Sequence, residues 1–220
     1  MKVRLVSYSQ PTPEFVNQGI DDVQELVAYC ARVSNPNNQL NFNTSEKLIG
    51  YLIKHKHWSP FEMASITMQI KTSRAIAPQI LRHRSFTFQE FSQRYAAVDQ
   101  SGLVLTAARR QDDKNRQNSV DDLPQEIKDE WEKRQLDNWK SSFEHYTWAL
   151  NNGLAKECAR AILPLGTSTT MYMSGTIRSW IHYVELRSAN GTQKEHMDIA
   201  EKCKDIIKRE LPTIAKAVGW

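Results

Sequence analysis

Residues 79–95 read QILRHRSFTFQEFSQRY, and the stretch changes character midway. Its first half continues a helical pattern. Ile76, Ala77, Ile80 and Leu81 recur at helical spacing after Ser73, a residue suited to an N-cap, with Pro78 in or near the first turns. From Ser85 onward the helical period stops. If residues 86–94 are extended, Phe86, Phe88, Glu90, Ser92 and Arg94 share one face, apolar at one end and polar and basic at the other. Arg82, His83 and Arg84 fall at the junction of the two halves, with Arg74 upstream and Glu90 as the carboxylate among them. A packed core requires no such gradient, whereas a pocket for a flat ring and an anion does. The plain alternative is a solvated basic loop.

Outward from this stretch, the 220 residues are 40% hydrophobic, which suits one domain with one core, residues 1–220. A net charge of +4 permits an anionic substrate and does not call for nucleic acid. No apolar run reaches the ~18 residues of a membrane span. The opening MKVRLVSYS alternates like a strand and lacks the apolar block of a signal peptide. Cys30, Cys158 and Cys203 have no metal-type spacing and fit a reducing, cytoplasmic setting.

The pattern predicts a strand over 2–9, helices over 21–33 and 46–55, an Asn- and Pro-rich loop over 34–43, and a strand over 62–70. Residues 107–122 (AARRQDDKNRQNSVDD) are nearly devoid of apolar side chains and read as an exposed loop. A long helix over 124–150 carries an aromatic stripe of Ile127, Trp131, Trp139, Phe143, Tyr146 and Leu150, expected in a core or subunit interface. Further helices are expected over 154–163, with Leu154, Cys158, Ala161 and Ile162 inward, over 175–187, and over 192–210. An extended run is expected over 169–174. Strands that do not alternate with helices predict an α+β fold, with helices packed on a small, largely antiparallel sheet.

The signature RHRSFTFQEFSQRY resembles the RHRxxSxNxxSxRY motif of the flavin-dependent thymidylate synthases. Thr87 and Gln89 keep the hydroxyl and the carboxamide of the residues usual there. Four further segments, spread between about residues 28 and 200, resemble the same family in order: CARVSNP, HKHWSPFE, ARAILP, and the run from Thr176 through Arg187 to Gln193 and Glu195. The resemblance implies reductive methylation of dUMP to dTMP. FAD would be the cofactor, NADPH and methylenetetrahydrofolate the co-substrates, and a homotetramer the assembly. It places Gln79, Arg82, Glu90, Phe91, Ser92, Gln93, Arg94, Arg160 and Arg187 at dUMP, with Arg187 activating the pyrimidine. It places Ser59, Arg82, His83, Arg84, Glu90, Thr176, Ile177, Arg178 and His182 at FAD, and His57, Glu62 and Ser34 near a flavin–folate site. Asn is common in the family where Thr176 and His182 stand, and a His is expected where Gly191 stands.

Each assignment has a plainer reading on residue type alone. Arg178, His182 and Glu185 make a polar helix stripe opposite Ile177, Ile181 and Val184. Arg160 reads as a surface residue and Arg187 as a helix-end charge. His55 and His57 lack the further ligands that zinc needs, so no metal is expected. Two rival functions remain at this level. One is an RNA-binding module stacking bases on Phe86, Phe88, Phe91 and Tyr95. The other is a transferase using a Cys158 nucleophile, although the three cysteines all read as small, inward-facing residues on or beside apolar helical stripes.

Overall fold

Two nine-residue strands form the centre of the fold, and their alternation explains them. The computed structural model describes residues 1–100 and 102–220. In chain order the elements are β1 (Lys2–Tyr8), α1 (Pro13–Val16), α2 (Val23–Ala31), α3 (Ser45–Lys54), β2 (Ser65–Ser73), α4 (Ala77–Ile80), β3 (Thr87–Glu90), β4 (Arg110–Gln111), β5 (Ser119–Val120), α5 (Gln125–Asn151), α6 (Lys156–Ala159), β6 (Ser168–Thr176), α7 (Ile177–Arg187), α8 (Lys194–Glu210) and α9 (Pro212–Val218). The main sheet has the order β1-β2-β6-β3 and every pairing in it is antiparallel.

Ile66, Met68 and Ile70 of β2, and Met171 and Met173 of β6, point to one buried face. Helices α2, α3, α7, α8 and α9 cover it, contributing Val27, Ile49, Trp180, Ile199 and Ile214 among others. Trp180 is fully buried and its indole N–H donates to the carbonyl of Ile66 at 3.0 Å, which satisfies its one polar atom. A smaller cluster of Val98, Trp139, Tyr146, Ala149 and Ala159 lies beneath α5. Among the described residues, no helix is long and apolar enough to cross a membrane.

The expected α+β class holds, with local corrections. Ser73 is not an N-cap: β2 pairs with β6 as far as Ser73 opposite Ser168, and sheet pairing overrides the helical pattern until Ala77. The strand after the RHR junction stops at Glu90, because the amides of Tyr95 and Ala96 turn back onto the Ser92 carbonyl. The strand expected from residue 62 starts at Ser65, since Ser59–Glu62 forms a 3-10 turn behind Pro60. Residues 107–122 contain a hairpin, β4 against β5. Arg110 clamps Asp122 at 2.7 Å, and the Asp112 carboxylate accepts from the amides of Lys114 and Asn115. Polar side chains do here what an apolar core does elsewhere. The helix expected over 154–163 is one α-turn plus a 3-10 turn at Arg160–Ile162. The phase slips there, so Ala159 is buried while Leu154, Cys158 and Ile162 are exposed. Cys30 is half-buried and Cys203 fully buried. Helix α9, begun by Pro212 and ended by Gly219 in the left-handed region, was absent from the sequence expectation.

Candidate functional site

Strand β6 passes into α7 without a loop. Thr176 ends the strand and caps the helix, its hydroxyl accepting from the Ser179 amide at 3.3 Å. The junction fixes where every α7 side chain points. Ile177, Trp180, Ile181 and Val184 are buried as expected, and Arg187 is carried back over the RHR junction. Its Nε donates to His83 Nε2 at 2.8 Å. A guanidinium only donates, so His83 Nε2 is the acceptor and the ring proton sits on Nδ1. The His83 ring meets Tyr183 edge-on at 4.8 Å. Burial, and then the Arg187 charge, push its pKa down to about 4. A neutral imidazole therefore orients the guanidinium without cancelling its charge, as a carboxylate would.

Beside this pair lies a hydrogen-bonded chain. Gln79 Nε2 donates to Gln193 Oε1 at 2.7 Å, and Gln193 Nε2 donates to Glu195 Oε2 at 3.0 Å. Arg109 donates to Glu195 Oε1 at 2.7 Å. On the other side, Gln79 Oε1 is 3.3 Å from His196 Nδ1, and His196 Nε2 is 3.1 Å from the Tyr183 hydroxyl. His196 is fully buried, and burial, followed by the charge of Arg187 and the nearby His83, lowers its pKa to about 3. Burial likewise raises the Tyr183 pKa well above its usual value. Sequence reasoning picked out Gln79, His83 and Arg187 but missed Tyr183, His196 and Arg109. A signal for His196 existed: it stands at helical spacing from Ile199, Ala200 and Cys203, a histidine on an apolar stripe.

A second group joins residues far apart in sequence. Arg178 pairs with Glu62 at 2.6 Å, and the His182 ring lies 4.9 Å from that of Trp58. The turn bearing His57 and Ser59 thus sits beside α7, with both side chains exposed. Arg82 and Arg84 are exposed and make no ion pair among the described residues. A diphosphate requires such uncommitted cations, so these residues fit the demand of a dinucleotide, whereas Arg178 is paired with Glu62.

A third group surrounds a shallow cleft of about 310 Å³ lined by Ser92, Arg94, Tyr95, Ala155, Lys156 and Glu157. Arg94 donates to Glu157 at 3.0 Å, with both side chains more than half exposed. Gln93 is buried and its Nε2 lacks a hydrogen-bond partner among the described residues. Arg160 is half-buried and Phe91 partly exposed. Glu90 is committed to the scaffold: one oxygen accepts from Arg74 and from Thr169, each at 2.8 Å. Ser34 lies apart, in a recess with Arg32, Asn38, Thr44 and Lys47. Among the described residues, no hydrogen bond or ion pair joins the Arg187 group to the Ser92–Arg94 group.

Comparison with known proteins gives clear matches over nearly the whole chain. A family model described as thymidylate synthase complementing protein matches residues 15–213. The chain is 54% identical over 220 residues to a protein of Paramecium bursaria Chlorella virus 1 described as "Probable flavin-dependent thymidylate synthase", with 100% of both chains covered. It is 50% identical over 221 residues to a flavin-dependent thymidylate synthase of Synechocystis sp., again over 100% of both. Among solved structures, the UMP/dUMP methylase PolB from Streptomyces cacaoi, bound with 5-Br dUMP, matches with a TM-score of 0.83 and 25% identity, covering 98% of this chain and 93% of that one.

Proposed function

The chain belongs to the flavin-dependent thymidylate synthase family, and from that premise we propose that it converts dUMP to dTMP with methylenetetrahydrofolate as carbon donor and NADPH as reductant. The observation that carries the mechanism is Arg187 held by a neutral His83. Uracil C5 is a poor nucleophile while N3 keeps its proton. A charged guanidinium at N3 and O4 stabilises the ionised ring and raises electron density at C5. C5 would then bond to the methylene carbon and lose its own proton, while that carbon's bonds to the folate nitrogens break and tetrahydrofolate leaves. Bound FAD, reduced by NADPH, would supply the hydride that completes the methyl group.

The remaining roles are those that the family resemblance implies. Arg94 and Arg160 take the nucleotide phosphate, with Ser92 as a neutral donor and Gln93 beside them. For Arg94 this requires release from Glu157, which its exposure makes cheap. Arg82, His83, Arg84 and Arg178 are assigned to the flavin, together with Ser59, His182 and the backbone of Thr176 and Ile177, since the Ile177 side chain is buried in the core. His57 and Glu62 are assigned to the flavin–folate side; Ser34, in its separate recess, would reach the same ligands only from another copy of the chain. Two features support a homotetramer whose sites combine several copies. The nucleotide-binding groups are separate within one chain, and α5 leaves Ile127, Leu136 and Trp148 exposed at 52%, 46% and 63%.

The test is optical. The purified protein, loaded with FAD, should show a flavin spectrum that NADPH bleaches and that dUMP with methylenetetrahydrofolate restores as dTMP appears. A protein that takes up no FAD would overturn the proposal.

A further inference from the structure

The hydrogen bonds around Gln79 run in one direction, and that direction originates at a carboxylate. Glu195 only accepts. Arg109 occupies its Oε1, so Gln193 must present Nε2 to Oε2. Gln193 then turns Oε1 toward Gln79, whose Nε2 donates to it. Gln79 is left with Oε1 facing His196, so the ring proton of His196 sits on Nδ1. The bare Nε2 accepts from the Tyr183 hydroxyl. Burial keeps His196 neutral and Tyr183 protonated, so the far end cannot reverse by titration near neutral pH. At the near end, Arg109 and Glu195 are 13% and 8% exposed, too dry for water to substitute freely for either.

We propose that the Arg109–Glu195 pair fixes which way round the Gln79 amide is held, and through it the selection of uracil over cytosine. The proposal rests on the reading that Gln79 and Arg187 face the pyrimidine. Neutral uracil, the form that docks before the ring ionises against Arg187, offers a donor at N3 and an acceptor at O4. Cytosine offers the reverse, an acceptor at N3 and an amino donor at position 4. An amide held one way round matches one pattern, whereas an amide free to flip matches both. Arg109, Glu195, Gln193 and His196 are positioning residues. Arg109 stands at the base of the β4–β5 hairpin, which gives that polar segment a place in the site.

Glu195→Gln tests the direction itself. A glutamine there keeps its oxygen on Arg109 and turns its nitrogen toward Gln193, which reverses every link. With FAD-loaded protein, calorimetry should show the ratio of dUMP to dCMP affinity falling by roughly tenfold. The ¹⁵N resonances of His196 should report the proton moving from Nδ1 to Nε2. Both affinities falling together with the ratio unchanged would mean a merely structural role and overturn the proposal. Should Glu195→Gln not fold, the wild-type protein still decides, because His196 carrying its proton on Nε2 overturns it. Gln79→Ala separates the two levels. If it weakens dUMP binding while the Glu195→Gln ratio stays at wild type, the site stands and only the directional chain is refuted. If it leaves dUMP affinity unchanged, Gln79 is not at the nucleotide and both fall.

Discussion

Replacing Arg187 with lysine removes the planar fork and keeps the charge. In the structure Nε is spent on His83 at 2.8 Å, and the two terminal nitrogens have no protein partner among the described residues. They are therefore free for two adjacent ring positions of a pyrimidine. A lysine ammonium supplies a point charge and cannot span both while also reaching His83. The loss expected is that of one preorganised charge stabiliser, ~3–4 kcal/mol or roughly 10²–10³ in rate. The structural loss is smaller: one hydrogen bond to a neutral acceptor, about 1 kcal/mol. The variant should fold, bind FAD and be reduced by NADPH at the wild-type rate. Reoxidation of the reduced flavin by dUMP with methylenetetrahydrofolate should nearly stop. A wild-type rate in that second half-reaction would refute the reasoning and leave Arg187 as a helix-end charge.

Arg178→Ala should weaken FAD retention while circular dichroism stays unchanged, since its partner Glu62 is exposed; wild-type flavin content would remove Arg178 from the flavin site. Ser92→Ala should raise the KM for dUMP and retain turnover, whereas abolished turnover with dUMP binding intact would mark a nucleophile instead. Stability should fall in acid. His83 and His196 have folded values of about 4 and about 3 against 6.5, so only the unfolded chain binds their protons in that window. Their contribution is full above pH ~6.5 and lost as pH falls toward 4 and 3, by at most about 1.4 kcal/mol per pH unit for each ring. Thermal melts between pH 7 and pH 5 of the wild type and His196→Asn check this, and equal slopes would contradict it. Gly175→Ala should destabilise by ~1–3 kcal/mol, because a Cβ there would stand 2.4 Å from the Phe86 ring; an unchanged Tm would show that Phe86 can move aside.

Much of the fold was legible because alternation in β2 and β6 and the apolar stripes of α2, α3, α7 and α8 answer directly to burial. What misled was local pattern overruled by pairing. Ser73 and Ile76 look like the start of a helix, but β6 offers Ser73 a strand partner that no local window reveals. The 107–122 segment looked loop-like because its order comes from Arg110, Asp112 and Asp122, residue types that usually signify solvent. At the site, the arginines and His83 were visible as a charged cluster. Tyr183, His196 and Arg109 were hidden, because their importance lies in contacts 13, 117 and 86 residues away in sequence. Glu90 shows the same limit: Arg74 and Thr169, 16 and 79 residues away in sequence, share one of its oxygens and anchor the end of β3, contacts that no local window reveals.

The division between charged and neutral partners gives the site its logic. Arg178, Arg94 and Arg109 each face a carboxylate, and the first two do so at the surface, where the pair is weak and exchangeable for an incoming phosphate. Arg187 is held by an imidazole kept neutral by the same burial that surrounds it. A carboxylate in the place of His83 would hold the guanidinium as firmly, but it would oppose the negative charge that the ring must develop. Protonating His83 would repel Arg187 and undo the arrangement from the other side. His83→Asp should therefore preserve dUMP binding better than turnover, whereas a purely positional role for His83 would let the two fall together. The kcat and KM of that single variant separate the electrostatic account from the steric one.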